Sequence, residues 1–371
     1  MDKADHKRNS SFELLRIFSM LFIVCSHCSV HRDLPEVQSL LFFNNLLLDW
    51  CVLGNLGVDI FVLITGYFSS CSRNLSRKSR GVKLLTQVWF FSVLGFLIYL
   101  ITGHHITLKI ILETIFPTVF SAYWFFTAYF VLLLFMPYIN IVLDKLTRKQ
   151  MIIFIVIMML LWSVIPTFTN QKMCGENLCL FVMLYSIGAY FRKYPDNNIL
   201  TKKKYRYLLT ILCFALMFLS SVVLRIVFNH HTTYFYSRSS ILTVGSAIGL
   251  FSFAVYGRKF YSKWINNIAA CTFGVYLFHD NPLMRELIWT EWLPKSKFLN
   301  SYLLIAVIFL SVIIVMTVST AVEWLRRITV KKPFEHLMNN IITKIQTGIQ
   351  SAIRSKRGKS GAEMQNKTDI S

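Results

Sequence analysis

Arg16 and His27 lie eleven residues apart inside the first apolar run of the chain, Ser11 to Val30. Eleven residues make about three turns of α-helix, so both side chains leave one face, roughly 16 Å apart along the axis. A histidine, with an ordinary pKa of about 6.5, can take or give a proton at neutral pH. Each has a plainer reading alone, Arg16 as a snorkelling boundary cation and His27 as packing. Together on one face they mark a functional surface, because ionisable groups inside a bilayer are costly and line cavities.

Asp59 stands inside the next run, in the segment Gly54 to Phe68. A carboxylate there needs a partner or a proton, and its simplest role is a hydrogen-bond hub that orients a neighbouring His or Arg. Gly54, Gly57 and Gly66 permit close helix approach. Tyr123, Trp124 and Tyr129 cluster at the outer edge of a later run. They read as an interfacial aromatic belt or as a stacking platform for a sugar ring. His279, in Gly274 to Asp280, belongs with them near an outer helix end, and stands behind His27 as a catalytic candidate.

Several other signals fail on context. His31-Arg32-Asp33-Leu34 imitates a kinase catalytic loop without the Gly-rich loop or metal partners of one. Cys25 and Cys28 bracket His27, but two further ligands are missing, so no metal is expected. Cys174 and Cys179 share an outer loop, as a disulfide or as two free thiols. The pairs His104-His105 and His230-His231 read as solvated loop residues. The Gly-x4-Gly-Lys pattern of a nucleotide-binding loop is missing, which argues against ATP-driven transport by this chain alone.

The elements that must hold these residues are membrane helices. The chain is 55% hydrophobic and 15% charged, against about 25% charged in a soluble domain, with a mean hydropathy of +0.52. Runs near 12–30, 50–70, 84–102, 119–142, 151–168, 177–191, 207–228, 239–257, 266–283 and 299–325 could each cross a bilayer. In hydrocarbon they must be helices, which satisfy their own backbone groups. No cleavable signal peptide is expected, since Arg16 interrupts the first run and no small-residue cleavage site follows.

The net charge of +21 suggests nucleic acid until its placement is examined. Segments 1–11, 71–83, 143–150, 192–206, 257–263 and 326–371 hold 30 of the 39 lysines and arginines. Basic residues confined to alternate loops follow the positive-inside pattern. The expected architecture is therefore an all-α polytopic bundle of about ten spans, with both termini in the cytoplasm and no nucleic-acid partner. Residues 1–11 would be a cytoplasmic N-terminus, 12–325 the membrane domain, and 326–371 a basic amphipathic segment with a disordered tail.

The motifs together resemble the acyltransferase family 3 of integral membrane acyltransferases. Arg16 and His27 fit that family's basic residue, ten residues, then histidine in the first span. Gly57-Val58-Asp59-Ile60-Phe61 and Thr65-Gly66-Tyr67-Phe68 are similar to its second-span pattern, and the Trp124 region and Tyr276 to His279 to later landmarks. The resemblance runs from Phe12 to about Trp324 and implies a multi-pass protein of the cell membrane. It implies acyl transfer from cytoplasmic acyl-CoA, usually acetyl-CoA, to a hydroxyl of a surface polysaccharide or its lipid-linked precursor. It makes His27 the catalytic residue, as base or acyl carrier, and Arg16 a contact for the CoA end.

CoA carries several phosphate charges, so the inner cluster of Arg73, Arg77, Lys78, Arg80 and Lys83 offers a donor entrance, with Arg77, Lys78 and Arg80 the nearest match to the family's Arg-x-Arg element. The plainer reading of these cations is topology alone. Two rival classes stand beside this one. A non-enzymatic glycan exporter leaves the Arg16–His27 spacing unexplained and more often shows repeated halves. A membrane acyltransferase acting on lipid or protein would share the chemistry and differ in the acceptor.

Overall fold

The side chain of Asn9 accepts the backbone N–H of Ser11 at 3.1 Å, capping helix α1, Ser10–Val30. Ser10 then fixes that end of α1, its N–H donating to the carbonyl of Phe260 at 2.8 Å and its hydroxyl meeting Asn266 at 2.9 Å. The structure is a computed structural model that describes residues 9–31, 42–70, 77–171, 173–196, 198–228, 232–293, 298 and 300–330. The helices after α1 are α2 (Phe42–Trp50), α3 (Gly54–Ser69), α4 (Arg77–Ile101), α5 (Leu108–Ile115), α6 (Trp124–Lys145), α7 (Arg148–Met159) and α8 (Ile165–Thr169). They continue as α9 (Glu176–Lys193), α10 (Lys203–Val227), α11 (Ile241–Tyr256), α12 (Lys263–Ala269), α13 (Thr272–His279), α14 (Pro282–Glu286) and α15 (Leu304–Thr329). Among the described residues there is no strand.

Seven helical stretches are long and apolar enough to cross a membrane: α1, α2 with α3, α4 from Arg80, α6, α7 through α8, α10 and α15. The chain is a multi-pass, all-helical membrane protein. Their outward faces carry exposed Ile101, Phe168, Ile211 and Phe309, the surface lipid solvates.

The other three expected runs form helices below that length or hydropathy. Run 177–191 is α9, run 239–257 is α11, and run 266–283 is divided between α12, α13 and α14. Burial explains the difference. Both α9 and α11 are enclosed by neighbouring helices along most of their length, and a helix packed in protein needs no lipid-grade hydropathy. The division of the last run is chemical. Asn281 accepts the N–H of Leu283 at 2.9 Å and of Met284 at 3.3 Å, and Pro282 follows at the first helical position. An Asn cap followed by Pro starts a new helix, so α13 ends at His279. In the α7–α8 rod, a π-turn at Leu160–Val164 precedes Pro166. Proline brings no N–H and its ring crowds the carbonyl four residues back, which a wider turn relieves.

Helix α3 stands at the centre, against α1, α9 and α11. Glycine makes two of these contacts possible. A Cβ on Gly57 would overlap the carbonyl oxygen of Ser19 in α1, and one on Gly66 that of Tyr185 in α9. This is the small-residue packing expected of membrane helices. Beyond Val330 the chain, with the expected basic amphipathic segment and tail, lies outside the described residues.

Candidate active site

The break after α13 is what builds the site. It leaves His279 and Asp280 at a buried helix end facing α1, with His279 and Asp280 at most 1% exposed. Nδ1 of His27 lies 3.0 Å from Nε2 of His279 and 3.4 Å from Oδ1 of Asp280. Nδ1 of His279 lies 2.6 Å from the carbonyl oxygen of Val275. A carbonyl only accepts, so Nδ1 of His279 carries the hydrogen, and in a neutral ring its Nε2 is then an acceptor. His27 must therefore donate from Nδ1, which leaves its Nε2 with the lone pair. No described residue bonds that Nε2. Arg285 holds Asp280 in place, donating to Oδ1 at 2.9 Å and to the backbone oxygen at 3.1 Å.

His27 opens on a cavity of about 890 Å³. Its wall includes Arg16, Leu84, Thr272 and Arg327 towards the N-terminal end of α1, and His31, Asn55, Asn177 and Arg238 towards the other end. A second cavity of about 630 Å³ lies at the N-terminal end, lined by Arg16, Arg80, Arg192 and Lys259 with Tyr67 and Phe68. Arg16, Thr65 and Tyr129 belong to both walls, and the hydroxyls of Thr65 and Tyr129 meet at 3.3 Å. Arg16 is oriented by Glu13, one turn back, at 2.9 Å. Two cavities thus meet at the arginine, and one of them runs on to the histidine.

A family model described as an acyltransferase domain matches residues 9–324. The chain belongs to acyltransferase family 3. No curated protein and no solved structure matches it significantly.

For this acyltransferase the structure sorts the residues expected from sequence. Arg16, His27 and Trp124 line the larger cavity, and Arg80 lines the smaller one. Tyr129 stands at their junction, on the wall shared with the cationic cavity. Tyr123, read as part of an interfacial belt or a sugar platform, lines neither cavity. It is 1% exposed, donating to the carbonyl of Leu277 at 3.1 Å and accepting from Asn281 at 2.7 Å, so it braces the α13 end instead. His279, expected on the substrate side, sits behind His27 as its hydrogen-bond partner. Asp59 is fully buried behind the cavity wall, and its carboxylate oxygens have no hydrogen-bond partner among the described residues. Of Arg77 and Lys78, at the start of α4, the side chains lie outside the described residues, as does all of Arg73. Cys174 and Cys179 are free thiols.

Residues that sequence reasoning passed over complete the picture. Asp280 and Arg285 support His27, and Arg192 and Lys259 add two cations to the smaller cavity. Asp280 directly follows His279, and an ionisable pair at a helix break was the available signal. Arg192 and Lys259 were visible only as members of basic loops. His31, in the kinase-like motif, packs at a tilt against the His27 ring, with the centroids 5.0 Å apart. His27, His31 and Asp280 each bring one ligand atom within 4.8 Å of the others, a spacing that a divalent cation can use. His279 and Arg285 already engage two of the three, which makes this a poor metal site.

Proposed function

We propose that this acyltransferase moves an acetyl group from acetyl-CoA to a hydroxyl of a surface polysaccharide or its lipid-linked precursor, in the cell membrane. The observation that carries the reading is the chain Val275–His279–His27. It fixes the tautomer of His27 so that a basic nitrogen is presented without a protein partner. A hydroxyl attacks a thioester slowly until a base removes its proton.

The donor occupies the cationic end. Arg16, Arg80, Arg192 and Lys259 around one cavity suit the phosphates of CoA. Tyr67 and Phe68 line the same cavity beside Arg192 and Arg16, whose guanidinium carbons lie 5.3 Å and 5.9 Å from their ring centroids. Passing Arg16 and the Thr65–Tyr129 junction, the pantetheine arm brings the thioester to His27. The acceptor enters from the His31 end.

The acceptor O–H gives its proton to Nε2 of His27 while its oxygen bonds to the thioester carbonyl carbon. Asp280, 3.4 Å from Nδ1, steadies the imidazolium that forms. The tetrahedral intermediate collapses, the carbon–sulfur bond breaks, and Nε2–H returns its proton to the CoA sulfur. The ester leaves with the acceptor, and free CoA leaves by the cationic end. The positive-inside pattern supports a cytoplasmic donor end, where acetyl-CoA is found, with the acceptor on the opposite side.

Mass spectrometry of the host's envelope glycans, with the gene deleted and complemented by wild type or His27→Ala, tests the reading. Acetyl groups lost on deletion should return with wild type alone. Unchanged acetylation on deletion, with a change in glycan export, would instead make the chain a carrier.

A further inference from the structure

Arg238 lines the reaction cavity at its His31 end, outside the spanning helices. It lies in the loop before α11, where the 3₁₀ turn Tyr234–Tyr236 leads into the Ser240 cap. Its guanidinium lies over the Trp124 ring, 4.0 Å from the centroid. A stack of this kind occupies the face of the fork and leaves its in-plane N–H donors available. No hydrogen bond or ion pair joins those donors to any described residue, and one terminal nitrogen is wholly buried without a partner.

The neighbouring charges hold the group without consuming its donors. Asp59 and Glu176 both act on it electrostatically, and Asp59 stays out of hydrogen-bond reach. Glu176 accepts from Ser239 at 3.3 Å. Arg285, the other guanidinium at this end, is tied to Asp280 through one terminal nitrogen, and its Nε is buried without a partner. Arg238 is therefore a stacked, largely desolvated cation on a cavity wall with its hydrogen-bond donors unspent. A buried donor left unmade is costly, and a charged acceptor satisfies it best. Asn55 and Asn177 line the same end, and amides of this kind suit neutral hydroxyls.

We propose that Arg238 is a specificity residue that clamps an oxyanion of the acceptor, so that the preferred acceptor is an acidic saccharide rather than a neutral one. The inference rests on the acyl-transfer reading for the word acceptor, and on the local geometry alone for the anion site. The oxyanion has two possible sources with one chemistry: a carboxylate on the sugar, or the phosphate that joins a sugar to its lipid carrier. In either case the clamp would place the charged group beside Trp124 and leave a neighbouring hydroxyl towards His27.

The test is binding of methyl glucoside, methyl glucuronoside and a glucose phosphate to the full-length protein in lipid nanodiscs, by calorimetry, beside transfer from labelled acetyl-CoA. Wild type should bind at least one anionic probe about tenfold or more tighter than the neutral one, which is one strong charge-assisted contact. Tighter glucuronoside assigns the oxyanion to a sugar carboxylate, and tighter glucose phosphate to a lipid-carrier phosphate. Arg238→Gln should lose the preference while keeping affinity for methyl glucoside and for acetyl-CoA. Arg238→Lys, which keeps the charge without the fork, should fall between, and His27→Ala should keep the preference in full.

Equal binding of charged and neutral probes by wild type overturns the clamp, as does a preference that survives Arg238→Gln. A preference for the anion without any acetyl transfer would sink the acyltransferase reading and leave the anion site standing. Transfer without preference would do the reverse.

Discussion

Nδ1 of His27 and Nε2 of His279 face each other at 3.0 Å across 252 positions of sequence. The contact sets which nitrogen of His27 is basic, because the carbonyl of Val275 has already set the hydrogen on His279. His279 is thus a positioning residue that acts through His27. Replacing His279 with Ala should lower kcat by about a hundredfold or more, the usual worth of a correctly protonated base. KM for acetyl-CoA should be unchanged, since His279 lines neither cavity. Steady-state kinetics separate the two constants, and a rise in KM with kcat intact would contradict the assignment.

The cationic cavity makes a prediction about the donor. Arg192→Gln and Lys259→Gln, alone and combined, should raise KM for acetyl-CoA, by about tenfold for the pair, while leaving kcat near wild type, because lost phosphate contacts are uniform binding. An acetyl thioester of N-acetylcysteamine, which has the reactive end without the phosphates, should be used equally by wild type and variants. Equal losses with both donors would place these cations outside the donor site.

In the proposed mechanism Asp280 carries the electrostatic part. Asp280→Asn keeps the shape of the helix end and removes the charge 3.4 Å from the His27 ring. The expected result is a kcat lower by about tenfold to a hundredfold, with acetyl-CoA affinity retained. Fluorescence-detected thermal unfolding checks that the variant is folded, which the loss of the ionic partner of Arg285 makes necessary.

The core packing predicts a stability effect distinct from these. Gly66→Ala would push a Cβ into the carbonyl of Tyr185 and force α3 and α9 apart. Overpacking of this kind costs roughly 1–3 kcal/mol. The melting temperature in detergent should fall. The thiols allow a cleaner comparison, because Cys174→Ser, at an exposed and unbridged position, should leave it unchanged.

Much of this could be read from the residues. Arg16 and His27, which their spacing puts on one helix face, line one cavity with Trp124, and Gly57 and Gly66 make the approaches their size suggested. The limits have physical causes. Hydropathy summed over 266–283 reads past Asn281-Pro282, although a cap and a proline there end one helix and begin another. With that break unseen, His279 looked like an outer residue rather than the partner of His27. Tyr123 and Trp124 are neighbours in one aromatic run, yet Tyr123, just outside the start of α6, turns into the core and Trp124, its first residue, into the cavity. Arg192, Lys259 and Arg238 come from three separate segments, and only the fold shows which cations share a wall.

The central claim is that His27 is the base for acyl transfer from acetyl-CoA. Its most direct test is the transfer of labelled acetyl from acetyl-CoA to host envelope glycan by the purified protein in proteoliposomes, comparing wild type with His27→Ala at matched protein levels. The account predicts transfer by wild type and none above background by His27→Ala, with acetyl-CoA binding kept by both. Transfer by His27→Ala at the wild-type rate would contradict it.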